Sequence, residues 1–438
     1  MHGGLLKYTE WEARLKVLDD ELNRLIAPDE EISGGNANPG NETVDPELLD
    51  DATEIGSDDG QGAEGNQQNP PPPPRRGHPE EIAKLELTRR YYLNALRFIR
   101  TIHEASELVL QLLSAKNKSE VIEAMDFFKA IDAYQVDTAK FGIRRMLRLI
   151  WTKANSDEGK GVQSHLIESY KELFFVAPPE MSENDSANYV ARNMLSLTID
   201  TTTAELTSLE KLMSTMMADG LIPELVISKL WQIYNVEKVK IPRAQRRGAI
   251  IVLGMLALAE PDIVVKQLET IIRVGLGPLG RKDLGLAKYT CLALSHISPV
   301  SRKAKDAPSP MGKLPNDHPI MEKLGALVQL PSENKDWYSM AEQAIGAIYA
   351  LAKKPDLLCG DIIKRKTVAV FSDPPAPPRQ DDAEDQVMQE AGTAEEAGQL
   401  PNPQSYFPLS QLLFIVGHVA SKYFFINIHR KSWEADDV

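Results

Sequence analysis

From Ala249 to Ala259 the chain carries only apolar residues and one glycine. A helix built from this run has no solvated face, so neighbours must cover it on both sides. The run sits inside the longer stretch Ile241–Glu260, where Pro242 suits a helix start because its fixed φ fits the first turn and its missing N–H would have no partner there. Arg243, Arg246 and Arg247 then fall in that first turn, the unfavourable end of the helix dipole for cations. The expectation is an inner-layer helix whose entry is ringed by positive charge.

Flanking segments repeat the theme. Leu221 to Tyr234, Ile263 to Val274 and Leu284 to Ile297 have helical apolar spacing, with turn signals at Asn235, Pro261 and Gly275–Gly280. Helices of about 12–18 residues with short turns and no strand-period stretch predict an all-α fold, an α-solenoid of HEAT-type antiparallel pairs, each burying its neighbours. A one-dimensional array also explains how 438 residues avoid one oversized core.

Particular residues go beyond periodicity. Gln245–Ala257, Val274–Arg281 and Leu286–Cys291 resemble the HEAT-repeat regulatory subunit 1 family of condensin. So do Arg145–Lys153, Gly159–Leu166, Ala204–Glu210, Lys335–Ala344 and Leu409–Ala420. The resemblance runs from about Lys84 to Ala420 and has a fungal character. Family members are far longer, so the chain reads as a central section, and Phe424 to Val438 departs from the pattern. The resemblance implies a non-catalytic scaffold that binds the kleisin subunit, contacts the ATPase heads of the structural-maintenance-of-chromosomes (SMC) pair and holds double-stranded DNA without reading its sequence. It implies work in mitotic chromosome condensation, in the nucleus and on chromosomes, with cytoplasmic residence for part of the cell cycle. The alternative is a HEAT-type scaffold of another class, a nuclear-transport receptor or phosphatase scaffold gripping a peptide.

In chain order, residues 1–28 form one amphipathic helix with Trp11, Leu15, Leu18, Leu22 and Leu25 at helical spacing. Residues 29–79 are acidic and proline-rich, ending in the run Pro70–Pro74, and are expected to be disordered. The first part of the array, 80–298, opens with a long helix bearing Leu87, Tyr91, Tyr92 and Phe98, whose aromatics are expected to pack on the next helix. Ser119 is expected to cap the helix that follows. Thr138 to Lys153 is a helix with Phe141, Ile143, Met146, Leu147 and Ile150 inward and a basic group at Arg144, Arg145, Arg148 and Lys153. Val162 to Val176 and Asn188 to Thr198 are helices, and Thr202 with Glu205 forms a capping box. A basic connector (299–319) leads to the second part of the array (320–372). An acidic segment expected to be disordered (373–404) and a last repeat helix (405–438) complete the chain.

The formal net charge of −14 excludes a uniformly basic nucleic-acid binder. Two cysteines far apart leave no disulfide framework or zinc pattern. No basic region followed by an apolar core stands at the amino terminus, so an intracellular protein is expected. The apolar stretch Leu409–Ile428 is interrupted by Gln411, His418 and Lys422, which argues against a membrane span. Gly159-Lys160-Gly161 lacks the preceding strand and the Lys-Ser/Thr pair of a phosphate loop. His165 and His296 read as satisfied helix residues rather than ligands.

No catalytic constellation, cofactor motif or metal motif is present, so no enzyme, cofactor or small-molecule substrate is expected. The candidate contact residues for DNA or an acidic partner are Arg243, Arg246, Arg247, Arg281 and Lys282, with Lys303 and Lys305 as a supplement. Ser298 and Ser309, each before a proline, are candidate phosphorylation sites beside those lysines.

Overall fold

A computed structural model describes residues 8–26, 79–153, 157–236, 241–298, 312–371 and 406–436. The helices are α1 (Tyr8–Ile26), α2 (Pro79–Leu112), α3 (Lys118–Ala133), α4 (Ala139–Met146), α5 (Asp157–Tyr170), α6 (Glu183–Ser196), α7 (Thr203–Ala218), α8 (Glu224–Asn235) and α9 (Arg243–Ala257). They continue as α10 (Asp262–Val265), α11 (Leu268–Arg273), α12 (Pro278–Lys282), α13 (Leu284–His296), α14 (Pro319–Val328), α15 (Asp336–Leu351), α16 (Pro355–Phe371) and α17 (Tyr406–Asp436). A short 3₁₀ turn, Leu147–Trp151, follows α4, and a π turn, Lys171–Phe175, follows α5. Among the described residues the only β pairing is an isolated parallel bridge between Leu314 and Ala352. Of the segments expected to be disordered, 29–79 (apart from Pro79, which opens α2) and 373–404 lie outside the described residues, as does most of the basic connector.

The chain divides into two compact units, residues 1–111 with 130–140, and residues 112–129 with 141–438. In the first, α1 lies along α2. The Trp11 ring meets Tyr92 edge-on at 5.2 Å and Tyr91 at 6.0 Å, Arg89 pairs with Asp19 at 2.6 Å, and Arg100 donates to the Tyr8 hydroxyl. The aromatic group of α2 therefore packs on the preceding helix, not the following one. Leu87, Tyr91, Phe98 and Leu108 stay exposed. A helix of 34 residues outruns its 19-residue partner and cannot bury every apolar side it carries.

In the second unit the helices alternate between two layers. The members α7, α9, α13, α15 and α17 pack in succession, each on the next, while α6, α8, the α10–α12 cluster, α14 and α16 form the other layer. This is the nearest-neighbour packing of an α-solenoid. Its centre is α9, which touches α6, α7, α8, α10 and α13, and whose residues Gly248–Ala257 are buried apart from Ile251. Ile250, Val252, Leu253 and Leu256 are wholly removed from solvent, and each contributes roughly 1.5–3 kcal/mol.

Local signals position these elements. The Thr202–Glu205 capping box forms, with both reciprocal hydrogen bonds present. At the other end of α7, Gly220 adopts φ 68°, its N–H bonds the Met217 carbonyl and the Leu221 N–H bonds Met216, which closes a Schellman motif. The carbonyls ending α15 are satisfied from outside the helix: the Ser298 hydroxyl donates to Ala350, and the Lys313 ammonium to Tyr349 and Ala350.

Several sequence expectations need correction. Asn117, not Ser119, supplies the cap of α3, its side-chain oxygen accepting the Ser119 amide. Phe141 is exposed rather than inward, because the Phe128 ring fills the space beside Gly142 and that side of α4 is the one that packs. The expected helix Ile263–Val274 breaks at Gln267, whose φ of −119° and ψ of 21° leave α10 and α11 as separate pieces. The expected helix Val162–Val176 gives way to the π turn after Tyr170, where the Tyr170 hydroxyl donates to the Ile143 carbonyl and the Asn193 amide to Phe174.

The turn between α11 and α13 depends on close backbone approach. A Cβ on Gly280 would stand 1.8 Å from the Gly275 carbonyl oxygen, while Gly161 inside α5 has open space around it. Gly280→Ala is expected to cost about 1–3 kcal/mol or more through forced backbone movement. Gly161→Ala is expected to stabilise by about 0.5–1 kcal/mol through helix propensity. Urea melts of the two variants check this, and equal midpoints would contradict the packing described.

Candidate functional site

All five basic candidates lie where α9 begins and α12 ends, and Asp283 links these two elements. One Asp283 carboxylate oxygen takes Arg247 through Nη2 at 2.6 Å and Nε at 2.8 Å, and the same oxygen accepts the Leu286 amide at 3.0 Å, capping α13. Arg247 is thus an ion-paired residue, and its guanidinium also lies against Gly285. Arg281 and Lys282, the last two residues of α12, immediately precede Asp283 and are exposed.

Arg246 donates through Nη2 to the Val236 carbonyl that follows α8. Its Nε is buried with no hydrogen-bond partner among the described residues. Arg246 therefore ties the end of α8 to the start of α9. Arg243, one turn earlier, is exposed. The five candidates divide accordingly: Arg246 and Arg247 are tethered by the fold, and Arg243, Arg281 and Lys282 present their charges to solvent. The unfavourable position of cations at a helix start is offset by a carboxylate and a carbonyl from neighbouring elements.

The other basic group behaves differently from a plain solvated face. Arg144 donates to the carbonyls of Ile199 and Asp200 at 3.0 and 2.9 Å, closing the turn after α6, where Asp200 adopts φ 53°. Arg145, Arg148 and Lys153 are exposed. His165 bonds Asp126 at 2.9 Å and His296 bonds the Gly254 carbonyl at 2.8 Å, so each histidine is satisfied within the fold.

Ser298 needs correction as a modification site. It is 1% exposed and its hydroxyl is engaged with Ala350, so a kinase reaches it only if the end of α15 opens. Ser309, Lys303 and Lys305 lie outside the described residues.

Among the described residues no group of three His, Cys, Asp or Glu side chains could hold a metal ion, and no helix is long and apolar enough to cross a membrane. Burial pushes the Cys291 thiol up to about 12, and burial with the nearby Asp356 charge does the same for Cys359, so neither forms a thiolate near neutral pH. A groove of about 340 Å³ opens on the layer of α7, α9, α13 and α15, bordered by Glu210, Lys288, Tyr289, His296 and Glu342. Sequence reading missed Asp283, although an acidic residue directly before the apolar α13 is a capping signal. It also missed Lys366, which is buried at the helical phase shared by Cys359 and Ile362.

No family model matches the chain. Curated relatives do. It is 42% identical over 426 residues to condensin complex subunit 1 of Schizosaccharomyces pombe and 34% identical over 450 residues to that of Saccharomyces cerevisiae, in both cases covering 96% of this chain and 36% of the relative. It is 28% identical to the mouse (Mus musculus) protein of the same name over 78% of this chain and 23% of the relative. The similarity to the yeast proteins extends beyond the Lys84–Ala420 stretch, and the chain spans about a third of their length.

The tethered and free arginines separate in stability. Asp283→Ala is expected to cost about 2–4 kcal/mol, because it removes a cap and strands a partly buried cation. Arg281→Ala and Lys282→Ala should each stay within about 0.5 kcal/mol of the parent. Thermal melts distinguish them, and an Asp283→Ala midpoint equal to the surface variants would contradict this link.

Proposed function

The chain belongs to the condensin complex subunit 1 family, and we propose that it is a non-catalytic helical scaffold of condensin. In this reading it binds the kleisin subunit and the SMC ATPase heads and contributes a sequence-independent DNA contact during mitotic chromosome condensation. It acts on chromosomes in the nucleus and resides in the cytoplasm for part of the cell cycle. The observation that carries the reading is 42% identity along 96% of the chain to a named condensin subunit. A two-layer helical array supports it physically, since such arrays offer extended faces for partners without a catalytic pocket.

The proposed DNA contact is the solvent-facing part of the basic edge, Arg243, Arg281 and Lys282. Arg246 and Arg247 hold the underlying turns in place. A rim of this kind touches phosphates and reads no base edges, so affinity should be low, indifferent to sequence and steeply reduced by salt.

Two measurements test the proposal. In a pull-down with the chain as bait, the kleisin subunit of condensin is expected to be retained and a Ran-type GTPase is not. Retention of the GTPase alone would favour a transport receptor. For DNA, the double reversal Arg281→Glu with Lys282→Glu should flatten the dependence of log affinity on log salt by about 2, as expected for two lost phosphate contacts. The matched reversal of exposed Arg145 and Arg148 should leave the slope nearly as it was. Equal effects from the two pairs would mean diffuse electrostatics rather than a rim.

A further inference from the structure

Lys366 lies in α16 at 7% exposure, yet no carboxylate pairs with it among the described residues. Its ammonium donates to the Gln411 side-chain oxygen at 2.9 Å and stands 6.0 Å from the centre of the buried Trp337 ring. The Gln411 amide is itself fixed, because its nitrogen donates to the Ser332 carbonyl at 2.7 Å, which turns its oxygen toward the lysine. Gln411 is 2% exposed, so the whole arrangement is internal. Burying an ammonium without a counter-charge is costly, and desolvation lowers the lysine's proton affinity here. A structural lysine would gain by pairing or by reaching water. Lys366 has no carboxylate partner among the described residues, and it borders a cavity of about 280 Å³.

The cavity walls set what could enter. Pro331, Val370, Phe407 and Pro408 supply apolar surface around the single ammonium. Glu333 also borders it, is exposed and opposes a second negative charge. A phosphate dianion would want several donors and would meet this repulsion. A carboxylate on an apolar stem needs only one cation and finds hydrocarbon for the rest.

We propose that the cavity between the α14–α15 loop, α16 and α17 is a binding site for a single carboxylate side chain of a partner peptide, with Lys366 as its counter-ion and Phe407 as the platform for an adjoining apolar residue. Gln411 and Trp337 are positioning residues that hold the ammonium ready. The site lies apart from the basic edge, uses different residues, and does not depend on the DNA reading.

The test uses the full chain and a fluorescein-labelled heptapeptide carrying one Glu flanked by Leu on each side, with the Gln isostere as its pair, read by fluorescence polarisation. The Glu peptide is expected to bind at least tenfold more tightly than the Gln peptide. Lys366→Met should abolish that difference without lowering the melting temperature, because it removes an unpaired buried charge. Glu333→Gln, a surface change that leaves the core intact, should tighten Glu-peptide binding severalfold. Equal binding of the two peptides, binding unaffected by Lys366→Met, or no binding at millimolar peptide would overturn the proposal. Binding seen only after deletion of residues 373–404 would also overturn it, by assigning the cavity to the chain's own acidic segment.

Discussion

The burial of α9 between its neighbours is the constraint on which the second unit depends. A helix with no polar face has no stable position at a surface, so α7 and α13 must flank it in one layer while α6, α8 and α10 cover it from the other. Small residues make that possible, since a Cβ added to Gly254 of α9 would stand only 3.0 Å from the Ala293 Cβ of α13. Because α13 is committed to α9 on one side, its other side is free to take α15, and α15 in turn takes α17. The layer propagates by the same step each time, so the length of the array can grow without enlarging any one core.

The same helix creates the electrostatic problem that its surroundings solve. Three arginines at its start oppose the helix dipole, and two of them are held by groups from different elements, Arg246 by the Val236 carbonyl and Arg247 by the Asp283 carboxylate. Asp283 serves two helices with one oxygen, pairing with α9 and capping α13. The cations left over, Arg243, Arg281 and Lys282, are therefore displayed at a place where the backbone is firmly held. Lys366 presents the opposite arrangement, a cation kept inside with an amide and an indole ring but without a charge partner among the described residues.

Much of this was legible in the residues. The apolar run Ala249–Ala259 announced an inner helix and the Thr202–Glu205 pair announced a capping box; each depends on short-range chemistry that the sequence carries whole. The exposure of Phe141, Tyr91 and Phe98 was not legible, because apolar spacing says which residues share a face and not whether a partner helix is long enough or close enough to cover it. The pairing of Arg247 with Asp283 joins residues 36 positions apart, and the Lys366–Gln411 bond spans 45, separations at which periodicity has no reach. Gln411 read as a polar interruption of an apolar segment, whereas in the fold it is the residue that orients the buried lysine.

Native-state hydrogen exchange of backbone amides tests most directly whether α9 is the support of the second unit. Exchange from α9, α13 and α15 should be the slowest in the chain and should require the largest opening, since their amides are enclosed by packed helices. Exchange from α1, held mainly against α2, should be faster by orders of magnitude. If α9 exchanges as fast as α1, the array does not rest on the burial of its central helix and the account fails.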